Sequence, residues 1–90
     1  MNVLRKPRYW ESLQAIEEFI AKDNPAAAIE MWLLIDEQVS QLADPNFPRR
    51  RGRVEGTLEL VAHPSYIVIL TQTFETVTAI EVLRASMKYP

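Results

Sequence analysis

Hydrophobic and polar residues follow a helical period in the first half of the chain and a two-residue period in the second half. From Trp10 to Ala21, apolar residues recur every three or four positions with glutamates between them. A second helical pattern runs from about Pro25 to Leu42, and Asn24 before it is a residue type that favours helix N-caps. The connection is very short, which predicts an antiparallel helical hairpin.

The second predicted helix carries more apolar residues than one core face needs. Its core stripe, at spacings of three and four, consists of Ala28, Met31, Trp32, Ile35, Val39 and Leu42. Leu33 and Leu34 cannot both join that stripe, because each residue is turned by about 100° from the last. Leu34 points well away from the core, which predicts a second contact surface on this helix.

Three strands are predicted after a loop that contains two prolines and two glycines. They cover residues 57–62, 65–72 and 76–85, and their short connections favour an antiparallel meander. The opening residues "MNVLRK" add a possible first strand. The predicted fold is therefore α+β in the order β-α-α-β-β-β, with the helical hairpin packed on one face of a small antiparallel sheet.

The middle strand is apolar on both faces. Tyr66, Val68 and Leu70 lie on one face, and Ile67 and Ile69 lie on the other. Because one helical hairpin covers only one face of a sheet, another segment or a partner must cover the second. The chain has only the arginine-rich loop and the tail "SMKYP" left for that purpose.

Length and composition predict one domain spanning residues 1–90, with no room for a second core. The chain has no cysteine, which excludes a disulfide framework and a thiolate zinc site and fits a reducing cytosol. No apolar run approaches a membrane span or a signal peptide, and no motif for a metal or cofactor is present. We therefore expect a cytoplasmic protein without a cofactor.

The net charge of −2 hides a strong asymmetry. Residues 11–44 hold eight acids and one base, whereas residues 45–90 hold six bases and four acids. Four of those bases cluster in "FPRRRGRVEG": Arg49, Arg50, Arg51 and Arg53. Guanidinium groups suit phosphates and also carboxylates of an acidic partner, and a solvated turn explains the cluster equally well.

Two further groups have possible acid–base chemistry. His63 is the only histidine, and its place before Pro64 favours a turn residue over a general base. The last strand and tail bring Arg84, Ser86, Lys88 and Tyr89 close in sequence. An acid–base pair for RNA cleavage could be built from them, but an ordinary strand end explains them as well.

Several segments resemble the RelE/ParE superfamily of toxins from type II toxin–antitoxin systems. They are "DNPAAA", "GRVEGTLELVAHPSYIV" and the closing "YP", and they are more similar to the ParE branch than to the RelE branch. The resemblance extends from about Pro7 to Pro90. It implies the same β-α-α-β-β-β fold and a cognate antitoxin that wraps the toxin.

The resemblance also implies alternative targets. ParE-type toxins poison DNA gyrase by binding it, whereas RelE-type toxins cleave messenger RNA on the ribosome. For gyrase the expected contacts are the four clustered arginines and the C-terminal segment. For RNA cleavage the expected residues are Arg53, Arg84, Lys88 and Tyr89. For the antitoxin the expected contacts are Leu33, Leu34, Tyr66 and Leu70.

This chain departs from the family pattern where basic and proton-donating residues are usual. Leu58, Leu70 and Thr71 stand where the family usually has arginine or tyrosine, and Ser86 stands where it has a basic or amide residue. Such losses weaken an RNA-cleaving site most, because transition-state stabilisation and proton transfer are lost together. The sequence therefore favours a ParE-like binding toxin, with an RNA-cleaving toxin or a non-toxic antitoxin-binding remnant as alternatives.

Overall fold

A computed structural model describes residues 1–89, which form two helices and five strands. In chain order the elements are β1 (Asn2–Arg5), α1 (Pro7–Ala21), α2 (Pro25–Gln41), β2 (Arg50–Arg51), β3 (Leu58–His63), β4 (Tyr66–Gln72) and β5 (Thr76–Arg84). The predicted α+β fold class is confirmed. The additional element is β2, a strand of two residues inside the arginine cluster.

The two helices begin where proline can occupy the first turn. α1 starts at Pro7, three residues before the sequence pattern indicated, because the apolar period becomes visible only at Trp10. α2 starts at Pro25, and the Asn24 side chain accepts a hydrogen bond from the Ala27 amide at 3.1 Å. The predicted N-cap is thus confirmed by its geometry.

The strand order in the sheet is β1-β5-β4-β3-β2. β3, β4 and β5 form the predicted antiparallel meander. β1 joins the other side of β5 in parallel, with Asn2 opposite Thr76, so the complete sheet is mixed. β2 pairs antiparallel with β3 and places Arg50 opposite Glu59.

Both helices pack on one face of this sheet and enclose the main core. Its fully buried side chains are Tyr9, Leu13, Ile35, Val39, Leu42, Val68, Leu70 and Val77. The predicted faces of β4 are confirmed, because Tyr66, Val68 and Leu70 all face the helices. Leu34 lies outside the core with 39% of its surface exposed, as the helical spacing predicted.

Asp36 on α2 connects both helices to the first strand. Its Oδ1 atom accepts hydrogen bonds at 2.8 Å from the Arg5 Nε of β1 and the Tyr9 hydroxyl of α1. The Arg5 guanidinium also donates to the Ser40 hydroxyl at 2.7 Å and lies 5.7 Å from the Trp10 ring centroid. One carboxylate therefore fixes the positions of three elements, and Tyr9 is a core residue that the sequence pattern did not identify.

Each helix also blocks one open edge of the sheet. β1 reaches only as far as Ala79 along β5, and beyond it the Val82 amide donates to the Ser12 hydroxyl of α1 at 2.8 Å. β2 pairs with two residues of β3, and beyond it the Gln38 side chain of α2 donates to the Ala62 carbonyl. These contacts occupy backbone groups that could otherwise pair with another chain.

Residues 85–89 cover the apolar centre of the second face of the sheet. Ile67, Ile69 and Leu83 are buried there, and Ile80, Ala85 and Tyr89 pack against them. The sequence left open whether another segment of the chain or a partner covers this face. At its apolar centre, a segment of the chain itself does so.

Replacing Tyr9 with phenylalanine tests the Asp36 connection. Burial, followed by the Asp36 hydrogen bond and charge, raises the pKa of Tyr9 above its ordinary value. The folded state therefore prefers the protonated phenol, and its stabilising contribution is complete below the unfolded pKa of about 10 and falls above it. We expect Tyr9→Phe to cost about 1–2 kcal/mol in urea unfolding near neutral pH.

The same comparison at alkaline pH supplies the control. The stability advantage of the wild-type chain over Tyr9→Phe should stay constant up to about pH 9 and shrink above about pH 10. An advantage that persists unchanged to pH 11 would contradict the raised pKa.

Candidate protein-interaction site

The arginine cluster is built into a tight connection between β2 and β3. The Gly52 amide donates to the Thr57 carbonyl at 2.8 Å, and a Cβ atom at Gly52 would collide with Thr57. Gly56 has a φ of 86°, a left-handed conformation that favours glycine. The backbone around the arginines is therefore fixed, and each side chain has its own surroundings.

Arg49 fastens the loop to the rest of the domain. Its guanidinium donates to the backbone carbonyls of Asp44 at 2.6 Å and Phe47 at 3.0 Å, and to the Gln72 side chain at 3.0 Å. These acceptors lie just after α2 and at the end of β4. Arg49 thus has a structural role in closing the loop over the end of the sheet.

Arg50 and Arg53 surround a buried carboxylate. Glu59 lies on the second sheet face and is 1% exposed. Its Oε1 accepts from Arg50 Nη2 at 2.9 Å, and its Oε2 accepts from the Arg53 amide at 3.0 Å and lies 3.5 Å from Arg53 Nε. Two of the four arginines therefore neutralise a charge inside this chain, which neither the spacing nor the composition had indicated.

Arg51 differs from its neighbours because its side chain points to solvent. It is exposed and forms no hydrogen bond or ion pair with any residue in the described range 1–89. Together with Arg53, Thr57, Gln72 and Thr73 it lines an open cleft of about 740 Å³ whose surface is half polar and half apolar. Of the cluster, Arg51 is the guanidinium most available to an external carboxylate or phosphate.

A second buried carboxylate lies across the sheet from the first. Glu59, Ile69 and Glu81 are successive register partners on β3, β4 and β5. Glu81 is 8% exposed and accepts from Arg8 Nε of α1 at 2.9 Å. The apolar centre of the second face is therefore flanked on both sides by a glutamate paired with arginine.

The residues expected for RNA cleavage have separate surroundings. The Arg84 guanidinium lies 5.2 Å from the Phe19 ring centroid, whereas Arg53 lines the open cleft, contacts Glu59 and donates to the Met87 carbonyl at 3.1 Å. Tyr89 packs against the apolar cluster of the second face, and burial together with Glu81 raises its pKa. Lys88 is exposed. Arg53 therefore lies beside the segment that holds Lys88 and Tyr89, whereas the Arg84 guanidinium lies against α1.

His63 has a local structural role. Its Nδ1 accepts a hydrogen bond from the Ser65 amide at 3.0 Å, within the turn that joins β3 and β4. The turn function that the sequence favoured is therefore observed. In residues 1–89 no group of three or more metal-binding side chains is arranged to hold a metal ion. Neither helix in that range has the length and hydrophobicity needed to cross a membrane.

The outer surface of the helical hairpin is apolar and acidic. Leu33 is 60% exposed and Ile29 is 58% exposed, one helical turn apart on α2. The exposed Trp10 of α1 stacks on Trp32 at 6.0 Å between ring centroids. By contrast, Leu70 is fully buried in the main core and Tyr66 is 9% exposed, so their side chains offer little surface to a partner. Of the expected antitoxin contacts, only Leu33 and Leu34 are accessible.

Comparison with known proteins agrees with this fold. Residues 3–89 match the family model described as the ParE toxin of the type II toxin–antitoxin system parDE. This chain belongs to that family of toxins.

The solved structures that are similar to the chain include the following two. One is from the chromosomal ParDE toxin–antitoxin system of P. aeruginosa, with a TM-score of 0.79, 19% identity, and coverage of 93% of this chain and 95% of that one. The other is the conserved hypothetical protein HP0894 of Helicobacter pylori, with a TM-score of 0.61, 10% identity and 99% coverage of both chains. At these identities the likeness concerns the fold. The search of curated proteins found no match.

Replacing Glu59 with glutamine tests the buried carboxylate. The change leaves Arg50 and Arg53 without their common counter-charge, and we expect a loss of about 2–3 kcal/mol in the free energy of unfolding. The loss falls below that of a fully buried pair because the two guanidinium groups reach solvent. Chemical denaturation measures it.

The matched control is Glu81→Gln. Its partner Arg8 has a side chain that is 69% exposed, so we expect a cost of about 1 kcal/mol or less. If the two variants lose the same free energy of unfolding, Glu59 does not stabilise the fold more than Glu81 does.

Proposed function

We propose that this toxin acts by binding DNA gyrase, and that its cognate antitoxin neutralises it in the cytoplasm by covering the helical hairpin. Family membership supports the toxin–antitoxin role. The observation that carries the binding mechanism is the division of the arginine cluster. Three arginines have internal partners, and Arg51 remains exposed beside an open cleft.

The target surface that we propose consists of Arg51 and the cleft around it. Arg50 adds to it because its side chain is 55% exposed while it remains paired with Glu59. The hydrogen bond between the Gly52 amide and the Thr57 carbonyl closes the turn that presents these groups, and such preorganisation lowers the entropic cost of binding. Arg49 supports this surface indirectly, by fastening the loop.

The antitoxin surface that we propose lies on the outer side of α2 and extends to α1. Ile29, Leu33 and Leu34 supply apolar contacts, and Trp10 enlarges them. Glu30 and Glu37 are exposed on the same helix, within the acidic segment of the chain. An amphipathic antitoxin segment with apolar residues and flanking Lys or Arg complements this surface.

The first experiment is expression without an antitoxin, with growth and chromosome integrity measured together. Gyrase poisoning should arrest growth and break the chromosome, and purified toxin should inhibit gyrase supercoiling. Growth arrest with an intact chromosome would contradict gyrase as the target and point to RNA cleavage. Normal growth would contradict toxicity and leave an antitoxin-binding protein, in agreement with the residues lost at Leu58, Leu70 and Thr71.

Arg51→Ala tests the target surface. Because the Arg51 side chain forms no hydrogen bond or ion pair within residues 1–89, we expect unchanged unfolding free energy and about tenfold or greater loss of gyrase inhibition, as for a lost guanidinium contact. The matched variant is Arg49→Ala, which should lower stability because four hydrogen-bond acceptors lose their donor. Full inhibition by stable Arg51→Ala would remove this residue from the target surface.

Leu33→Asp tests the antitoxin surface. Burying a carboxylate against an apolar partner is costly, so we expect at least about tenfold weaker antitoxin binding in titration calorimetry. Phe74→Asp is the control, because Phe74 is 97% exposed in the turn between β4 and β5. Equal affinities for wild type and Leu33→Asp would exclude the outer face of α2.

A further inference from the structure

The end of the chain, residues 85–89, lies across the second face of the sheet as a strap. The Ala85 amide donates to the Ser65 carbonyl at 2.8 Å, and the Arg53 Nη1 donates to the Met87 carbonyl at 3.1 Å. Two residues further on, Tyr89 packs against Ile67, Ile69 and Leu83. The strap thus contributes a backbone carbonyl to Arg53 and an aromatic ring to the apolar centre.

Few contacts hold this strap in place. β5 ends at Arg84, so residues 85–89 have no strand pairing, and Ser86, Met87 and Lys88 are exposed. Within the described residues, two hydrogen bonds join the strap to the rest of the domain, from the Ala85 amide to Ser65 and from Arg53 to Met87, and the side chains of Ala85 and Tyr89 pack on the apolar centre. A short segment held in this way opens at a lower free-energy cost than a paired central strand. The groups beneath it are fixed more firmly, because they belong to the central strands β4 and β5.

The surface beneath the strap has the properties of a peptide site. Its centre is apolar and consists of Ile67, Ile69 and Leu83, which are at most 8% exposed while the strap is bound. Glu59 holds Arg53 at one side by its amide and guanidinium, so the donor stays in position when the Met87 carbonyl leaves. An apolar hollow suits an extended peptide when it lies beside a guanidinium that is oriented to donate to a backbone carbonyl.

We infer that this face is a peptide-binding site, which the chain's own residues 85–89 occupy and which an extended segment of another protein takes over. The strap defines the pattern that the partner must offer: a backbone carbonyl for Arg53 and an aromatic side chain two residues later. The site is separate from the α2 surface and requires neither gyrase nor an antitoxin.

The test uses full-length chains and a fluorescent peptide with the chain's own residues 84–89, RASMKY. Tyr89→Ala weakens the internal strap but leaves Arg53 and the apolar centre intact. Fluorescence anisotropy should show the peptide binding Tyr89→Ala, and binding the wild-type chain about tenfold or more weakly. The difference arises because the apparent affinity falls with the fraction of chains whose site is open.

Two controls separate a specific site from charge attraction. The peptide RASMKA has the same charge and lacks the aromatic ring, so it should not bind Tyr89→Ala. Adding Arg53→Ala to Tyr89→Ala should abolish binding of RASMKY, whereas adding Arg51→Ala should leave it unchanged. Circular dichroism establishes that each variant is folded.

Other outcomes would overturn the inference. If RASMKY and RASMKA bind alike, the aromatic ring has no site. If RASMKY binds neither Tyr89→Ala nor the wild-type chain, the strap only covers the sheet and no exchangeable peptide site exists. The peptide is the only probe in this test. A failure of peptide binding therefore does not bear on the proposed gyrase inhibition, and a failure to inhibit gyrase does not bear on peptide binding.

Discussion

The structure depends on a central strand that is apolar on both faces. Tyr66, Val68 and Leu70 require cover on one side of β4, and Ile67 and Ile69 require it on the other. A small domain has few residues with which to bury two apolar faces. The helical hairpin covers the first face, and residues 85–89 cover the apolar centre of the second. The cover of the first face is extensive and braced by Asp36, whereas that of the second is short and held at few points. The two faces therefore differ in how readily they open.

Charge is organised around the second face. Glu59 and Glu81 are buried on either side of Ile69, and burial of a carboxylate is tolerable only with a counter-charge. Arg50 and Arg53 meet this need on one side, and Arg8 meets it on the other. The arginine cluster, which looks like a recognition patch in the sequence, thus mainly forms ion pairs and hydrogen bonds within the fold. This leaves Arg51 as the residue whose charge is directed outward.

The surfaces proposed for partners lie on different elements. The outer side of α2 combines exposed leucines with acidic residues, and the arginine loop follows the C-terminal end of that helix in the chain. Such a separation of the antitoxin surface from the target surface matters only if both partners can bind at the same time. Arg53 links the loop to the strap, because it contacts both Glu59 and the Met87 carbonyl. The proposed target cleft and the strap therefore share one side chain.

The sequence by itself determined the helical hairpin, the meander, the two apolar faces of β4 and the exposure of Leu34, because period and turn residues are local signals. It also carried the family resemblance. It did not reveal the parallel pairing of β1 with β5, the two-residue β2 or the core position of Tyr9, because each depends on contacts between distant segments. The same applies to the site, because the four clustered arginines look equivalent in the sequence. Only the tertiary structure decided their roles, since the β2–β3 register places Glu59 beside Arg50 and Arg53 and leaves Arg51 outside.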